Sequence, residues 1–359
     1  MKLERDLIEG VLETLRTLPD AHIEPAQSAS GRRDKGYDAR IDLHIGDRSI
    51  CLLVEAKRAV YPRDVRELVW QIRRYMEPGA PDASAGQRVP LVVAEAISPG
   101  AKELLREEQV GYFDSGGSFF LPARGVYVYI EKPPPKTLAK SLRSLFSGRR
   151  AQVLHALLMH HHKWVNVKEL AEQSHASPAT VSQVMTELER FDWLDMQGRG
   201  PSKERLLREP GALLDAWSKQ VAANRPPALR RYYVPATKPL DLPGRLGRAL
   251  EQHDVAYAIT HEAAAQRYSP YLSSVSQVRC RLTPGRAADE ALGTLDARVV
   301  NEGANLAVIE VKSSGELLFR EKLDDVWLAS PILVYLDLLR SEGRAKEMAE
   351  YLRHERIGF

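Results

Sequence analysis

The stretch IDLHIGDRSICLLVEAKR, residues 41–58, decides the fold predicted for the first part of the chain. Its alternating and then continuous apolar residues predict two strands joined by a GDR turn. The second strand ends in Glu55-Ala56-Lys57, which places a carboxylate and an ammonium group on the same strand face. A buried strand gains nothing in folding from such a pair, so the two charges need either solvent or a chemical role.

The composition is that of an ordinary soluble globular protein of 359 residues, which is long enough for two or three domains. The net charge of +3 does not by itself indicate nucleic-acid binding, so any basic footprint must be local. The two cysteines, Cys51 and Cys280, are far apart in apolar contexts. They exclude a disulfide framework and a cysteine-based zinc site, and they fit a reducing compartment.

The first ten residues, MKLERDLIEG, are charged and have a helical pattern rather than that of a signal peptide. No apolar run approaches the ~18 residues needed to span a membrane. We therefore expect a cytoplasmic protein without a membrane partner.

Two proline-rich stretches, 131–150 and 223–245, are typical of linkers. They divide the chain into predicted domains at 1–131, 147–220 and 228–359. The first segment alternates helix and strand patterns, which indicates an α/β domain with a mixed sheet. The middle segment is predicted to be an all-α winged helix, and the last segment to be α/β.

The strand end at Glu55 and Lys57 becomes chemically informative if a second acid lies beside it. Asp42 lies on the preceding strand, and the hairpin is expected to bring it alongside Glu55. Two carboxylates suit Mg²⁺ or Mn²⁺, which keep waters for a reaction. A neighbouring lysine can activate water or neutralise developing phosphate charge. This arrangement favours phosphodiester hydrolysis.

The pattern of an acid, a variable gap and then Glu55-Ala56-Lys57 resembles the PD-(D/E)XK nuclease superfamily. Ile41 stands where that family has proline, and Asp38 in GYDAR is a competing choice for the first acid. The resemblance implies a magnesium-dependent endodeoxyribonuclease in which Asp42 and Glu55 bind the metal and Lys57 activates water.

Two helices add residues to this predicted site. Gln71 and Tyr75 share a helix face at i, i+4, and they resemble the Gln-xxx-Tyr motif that borders the active site in the RecB-like branch. Glu4 falls within the apolar stripe of helix 3–18. In the nuclease superfamily an acid from a first helix often completes the metal shell, so the resemblance makes Glu4 the candidate third metal ligand. The alternatives are that Gln71 and Tyr75 are surface residues and that Glu4 is a solvated residue of the first helical turn.

The middle segment resembles a winged helix-turn-helix of the MarR-like type. Ser177 and Pro178 begin the second helix of the motif, and apolar residues form its inward stripe. The outward residues Thr180, Ser182 and Gln183 suit major-groove reading. The basic wing is expected to contact phosphates or the minor groove of double-stranded DNA through Arg199, Lys203 and Arg205. The alternative is a winged helix used for protein contacts.

The consecutive histidines His160, His161 and His162 do not share a helix face, so we interpret them as a solvated helix end rather than a metal site.

The last segment resembles the C-terminal domain of AbiEi-type proteins, antitoxins and transcriptional regulators of type IV toxin–antitoxin systems. The likeness spans about 147–359, but His261 occupies the expected glycine of the TG-x-AA turn. We predict no catalysis here, because the nucleotide-binding Gly-Ser and Asp-x-Asp motifs are absent. Asp296, Glu310 and Lys312 repeat the acid, hairpin, E-x-K pattern. We interpret them as solvated charges at a strand end, and the alternative is a second, degenerate nuclease-like site.

Three functional hypotheses follow. The first is metal-dependent DNA hydrolysis guided by the winged helix. The second is a non-enzymatic AbiEi-like transcriptional regulator or antitoxin with a vestigial nuclease domain. The third makes the last domain a protein-interaction module that binds a toxin protein partner. A homodimer is compatible with each of them.

Overall fold

The computed structural model describes residues 2–24, 27–28, 37–75, 87–235, 242–272 and 274–359. The chain divides into two compact units. The first comprises Met1–Ser144 with Thr186–Asp192, and the second comprises Leu145–Met185 with Trp193–Phe359. The predicted mixed α/β class is confirmed. The three-way division at the proline-rich stretches stays a prediction.

A mixed sheet forms the centre of the first unit, with strand order β1-β3-β4-β5-β6-β7-β8 and β2 paired to β3. Strand β4 pairs antiparallel with β3 and parallel with β5, and β5 pairs parallel with β6. The elements are α1 Lys2–Arg16, β1 Ala21–Ile23, β2 Gln27–Ser28, β3 Ala39–Ile45, β4 Arg48–Val60, α2 Pro62–Tyr75, β5 Gln87–Ile97, α3 Pro99–Glu107, β6 Gly111–Asp114, β7 Phe119–Ala123, β8 Val126–Ile130 and α4 Lys136–Leu145.

The two faces of this sheet pack against different helices. Helix α1 covers one face with Leu7, Val11 and Leu15, which contact alternate residues of β4 such as Leu52 and Val54. Helices α2 and α3 cover the other face with an apolar set that includes Val65, Leu68, Ile72, Ala101 and Leu105. Successive side chains of a strand point to opposite faces of the sheet. Glu55, next to Val54, therefore faces α2 and α3 rather than α1.

The segment predicted to be a winged helix consists of helices and an antiparallel ribbon, and it lies in the second unit except for residues 186–192. Its elements are α5 Gly148–Met159, α6 Val167–Ser174, α7 Pro178–Arg190, β9 Leu194–Gln197, β10 Glu204–Leu207 and α8 Pro210–Ala223. Asn166 caps α6, and His175 ends it in the left-handed conformation. The predicted inward residues of α7 are all buried, namely Val181, Val184, Met185 and Leu188. Strands β9 and β10 form an antiparallel ribbon, which is the wing.

The rest of the second unit is a curled mixed sheet of order β14-β11-β15-β13-β12-β17-β16, with helices packed against it. Its elements are β11 Arg230–Tyr233, α9 Leu242–Gln252, β12 Tyr257–Thr260, α10 His261–Tyr268, β13 Val278–Leu282, α11 Arg286–Gly293, β14 Arg298–Val299, β15 Leu306–Glu310, a 3₁₀ turn Ser314–Leu317, β16 Glu321–Leu323, β17 Val326–Leu328, α12 Pro331–Leu338, α13 Ala345–Leu352 and a π-helical turn Arg353–Ile357. Within the described ranges, no helix has both the length and the apolar character needed to cross a bilayer.

Candidate active site

The β3–β4 hairpin places Asp38, rather than Asp42, beside Glu55. Ala39 pairs with Val54, so Asp38 stands opposite Glu55 just before β3 begins. The backbone N–H of Asp38 donates to the Val54 carbonyl at 2.8 Å. Its carboxylate Oδ2 accepts the backbone N–H of Ala56 at 2.7 Å. These two bonds fix the Asp38 carboxylate next to the Glu55-Ala56-Lys57 segment.

Glu55 is the central group of this cluster. It is only 6% exposed, and its Oε1 accepts a hydrogen bond from Lys57 Nζ at 2.7 Å. Gln71 Nε2, from α2, also donates to Oε1, at 3.3 Å. A carboxylate this buried is stabilised by such charge-assisted contacts. The cluster therefore consists of Asp38, Glu55, Lys57 and Gln71 on one sheet face.

The expectation that Asp42 lies alongside Glu55 was wrong. Asp42 pairs with Cys51, four positions from Glu55 along the hairpin. The turn consists of Gly46 and Asp47 only, since Ile45 pairs with Arg48. The Asp42 carboxylate instead forms a salt bridge with Arg40, with Nε–Oδ2 at 3.0 Å.

The expectation for Glu4 was also wrong. Glu4 is exposed on α1, which packs on the sheet face opposite to the one that carries Glu55. Its carboxylate therefore cannot join Asp38 and Glu55. Tyr75 is the last residue of α2, and its side chain lies outside the described part of the chain.

The carboxylate oxygens of the cluster fit a hard divalent cation whose remaining coordination positions would be filled by water. Oε2 of Glu55 and Oδ1 of Asp38 accept no hydrogen bond from any described residue. Carboxylate oxygens are the ligands Mg²⁺ prefers, and Mg²⁺ is commonly held by one or two carboxylates with waters. Within the described ranges, no group of three His, Cys, Asp or Glu side chains is arranged to hold a metal. The protein would thus supply two carboxylates.

Trp70 was not predicted from the sequence, although it lies next to Gln71 on α2. Its side chain is 62% exposed, and the Arg74 guanidinium lies 5.1 Å from the ring centroid. A large aromatic residue outside the apolar stripe of an amphipathic helix is the signal that would have identified it.

Most of the residues predicted to contact DNA are at least partly exposed. Ser182 and Gln183 are exposed on α7, and Thr180 is half-buried. Arg199 is exposed at the wing tip, and Lys203 is half-buried.

The expectation that Arg205 lies on the surface of the wing was wrong. It is 7% exposed because it lies on the same inward face of β10 as the buried Leu207. Its backbone N–H donates to the Val165 carbonyl at 2.9 Å, which adds a third segment to the ribbon.

The second E-x-K pattern does not form a hairpin like that of the first unit. β14, which follows Asp296, and β15, which ends at Glu310, both pair with β11 and lie on either side of it. Glu310 is partly exposed and forms a salt bridge with Arg230 at 2.9 Å. This placement agrees with the interpretation of charges at a strand end.

Two predictions about histidines remain: a solvated helix end at residues 160–162, and His261 at a position where glycine was expected. His160 follows the last residue of α5, and His161 and His162 continue into the turn after it, half-buried or exposed. His261, in the place of the expected glycine, has φ of 55°, the left-handed region that glycine favours. The backbone at His261 thus has a conformation that glycine favours.

Comparisons of the chain with protein-family models, with curated proteins and with solved structures found no match.

Proposed function

We propose that the chain is a metal-dependent DNA endonuclease of the PD-(D/E)XK type, located in the cytoplasm, whose winged helix holds double-stranded DNA. The observation that carries this proposal is the convergence of Asp38, Glu55, Lys57 and Gln71 on one face of the first sheet. Two acids and a lysine at a strand end can support metal-assisted phosphodiester hydrolysis, by holding the metal and stabilising the charge that develops on the phosphate.

Each side chain has a role that follows from its position. Asp38 and Glu55 would hold Mg²⁺ or Mn²⁺, which when bound supplies Lewis-acid polarisation of the phosphate. Lys57 Nζ donates one hydrogen to Glu55, and its side chain is 38% exposed. Its remaining hydrogens can hold a water or a phosphate oxygen. Gln71 orients the Glu55 carboxylate, and exposed Trp70 lies beside it on the surface that nucleic acid would approach.

The first prediction separates the two candidate acids. Asp38→Asn, Glu55→Gln and Lys57→Met should each lower magnesium-dependent plasmid nicking at least about a hundredfold, the scale of losing one transition-state contact. Asp42→Asn is the matched control, because it changes the same atoms on the same strand and face. It should retain activity near that of the wild type. EDTA should stop nicking, and cleavage that depends on Asp42 but not Asp38 would refute this site.

The alternative is a DNA-binding regulator or antitoxin of the AbiEi-like kind with an inactive nuclease domain. The position of Glu4 favours it, since the predicted third carboxylate lies on the wrong face of the sheet. This alternative predicts DNA binding by the winged helix, no nicking with either metal, and identical behaviour of the four variants.

A further inference from the structure

A cavity of about 500 Å³ lies within the second unit, where the winged helix meets the C-terminal α/β part. Its walls come from α5, α8, β13, α12 and the region of the 3₁₀ turn. This volume falls in the range of small-molecule sites, about 300–1,000 Å³. No residue of the proposed nuclease cluster or of the DNA-reading surface lines it.

The wall of the cavity carries an excess of positive charge. Asp337 and Glu316 line it, and both pair with Arg281, at 2.6 and 3.4 Å respectively. Three more cations line it, namely Arg149, Lys312 and Arg340. In the described part of the chain, no carboxylate forms an ion pair with any of these three. The wall therefore has four cations and two carboxylates, and both carboxylates pair with Arg281.

Arg340 is a partly desolvated cation. Its Nε donates to the Val221 carbonyl at 3.4 Å, a long contact. Burial lowers the pKa of Arg340, which Asp337 opposes and Arg281 reinforces. The cavity also has an aromatic wall, formed by Trp217 and Phe146, whose ring centroids are 6.2 Å apart. Cations together with apolar rings suit a ligand that has an anionic group on an apolar body.

We propose that this cavity binds a small organic anion, a phosphate or carboxylate on an aromatic body, and that binding lowers the affinity of the winged helix for DNA. Arg340, Lys312 and Arg149 would contact the oxyanion, and Trp217 would contact the ring. The regulatory half of this proposal rests on the DNA binding proposed above, whereas the ligand-binding half does not.

Arg149 links the cavity to the helix-turn-helix. Its Nη1 donates to Gln152 Oε1 at 3.2 Å and to the His175 carbonyl at 3.0 Å. His175 ends α6 in the left-handed conformation, two residues before Ser177, which caps α7 by accepting the Thr180 N–H. An anion in the cavity would compete with the His175 carbonyl for the Arg149 guanidinium. Loss of that hydrogen bond would loosen the turn before α7, the helix predicted to contact DNA bases. Ligand binding is therefore expected to lower DNA affinity.

The binding test uses four probes with the full-length chain and calorimetry. Phenyl phosphate and phenylacetate share an aromatic ring and differ in the oxyanion, so whichever binds tighter identifies the anion. Phenylacetamide is the neutral control, and inorganic phosphate is the control without a ring. We expect one aromatic anion to bind at millimolar concentration or tighter, and both controls to bind at least about tenfold weaker.

The matched variants are Arg340→Gln, in the cavity wall, and Arg286→Gln, on α11 with 92% of its side chain exposed. Arg340→Gln should weaken the binding at least about tenfold, the size of one charge-assisted hydrogen bond, and Arg286→Gln should leave it unchanged. Absence of binding by both aromatic anions, equal binding of phenylacetamide, or equal loss in the two variants would overturn the site.

The coupling test measures DNA affinity by anisotropy with and without the probe that binds. We expect the probe to weaken DNA binding several-fold, and DNA to weaken probe binding by the same factor, because coupling is reciprocal. In Arg149→Gln the DNA affinity should no longer respond to saturating probe. Probe binding without any effect on DNA affinity would refute the coupling alone. A chain that binds the probe but no DNA would refute the proposed function and leave the ligand site standing.

Discussion

Arg281 and Asp337 form a buried ion pair at the centre of the second unit. Both Nε and Nη2 of Arg281 contact the carboxylate, at 3.1 and 2.6 Å, and Thr260 Oγ1 donates to it at 2.6 Å. Burial alone would raise the pKa of Asp337, but Arg281, His261 and Thr260 together lower it to about 2. A carboxylate with this many donors stays ionised. Removing its charge would deprive the buried Arg281 guanidinium of its closest counter-ion.

Asp337→Asn is therefore predicted to destabilise the second unit by about 3 kcal/mol, the low end of the range for a broken buried pair, since the buried Arg281 would keep only its longer contact with the partly exposed Glu316. Urea unfolding followed by tryptophan fluorescence measures this loss. The control is Glu290→Gln, which breaks the exposed pair with Arg286 and should cost less than about 1 kcal/mol. Combining Arg281→Met with Asp337→Leu should recover part of the loss, and a double variant worse than Asp337→Asn would contradict this account.

At the scale of elements, the register of the β3–β4 hairpin decides which residues form the candidate site. The strand patterns and the same-face pair of Glu55 and Lys57 could be predicted from the sequence. The facing acid is set by the register: Ile45 pairs with Arg48, so Asp42 lies opposite Cys51 and Asp38 lies opposite Glu55. The expected three-residue GDR turn would have placed Asp42 opposite Leu52, so the predicted pairing of Asp42 with Glu55 followed from the family pattern and not from the turn. Gly46 adopts φ of 56°, which permits the tighter turn.

The wing contains two glycines in the left-handed region that differ in their surroundings. Gly198 has φ of 74° and Gly200 has φ of 58°. A Cβ added at Gly198 would overlap the Ser202 carbonyl oxygen, whereas one at Gly200 would meet nothing. Gly198→Ala should therefore cost about 1–3 kcal/mol locally and loosen the wing, with Gly200→Ala at the low end of that range. Hydrogen exchange across β9 and β10 measures this difference, and equal loss of protection would contradict it.

Substitutions in α7 and in the wing should change DNA binding in different ways. Gln183→Ala, on exposed α7, is predicted to cost about 1–3 kcal/mol on a preferred site and to relax sequence preference. Lys203→Ala should weaken binding to all sequences and lower the salt slope by about one unit. Anisotropy titrations on two sequences at several salt concentrations separate these outcomes. Absence of any salt-dependent DNA affinity would instead indicate that the winged helix serves protein contacts.

At the scale of the whole molecule, sequence periodicity indicated the α/β class and the winged helix but gave no signal for the cavity. The cavity wall combines residues such as Arg149, Arg281 and Arg340, which are widely separated along the chain. Local patterns report which face of an element is apolar, and they do not report which elements meet. Arg205 shows the same limit, since a basic residue in a basic wing proved to be buried.

The two units also differ in their buried histidines. In the first unit His22 is exposed and His44 is partly exposed. In the second unit burial, reinforced by Arg281, lowers the pKa of His155 to about 3. Burial likewise lowers the pKa of His261 to about 4, although Asp337 opposes the shift. Both histidines are therefore neutral in the folded unit at pH 7.

Acid should destabilise the second unit first. An unfolded histidine titrates near 6.5, so as the pH falls from about 6.5 to 4 the unfolded chain binds protons that the folded chain excludes. The unfolding free energy of the second unit then falls by up to about 1.4 kcal/mol per pH unit for each of the two histidines. Hydrogen exchange at pH 7 and pH 5, corrected for intrinsic rates, should show protection lost across 193–359 and retained across 87–130.

His155→Gln, which keeps a polar group facing Ser330, should reduce the slope of the unfolding free energy against pH by the equivalent of about one bound proton. The matched control His44→Gln should leave it unchanged, and equal acid sensitivity of the two units would refute the assignment.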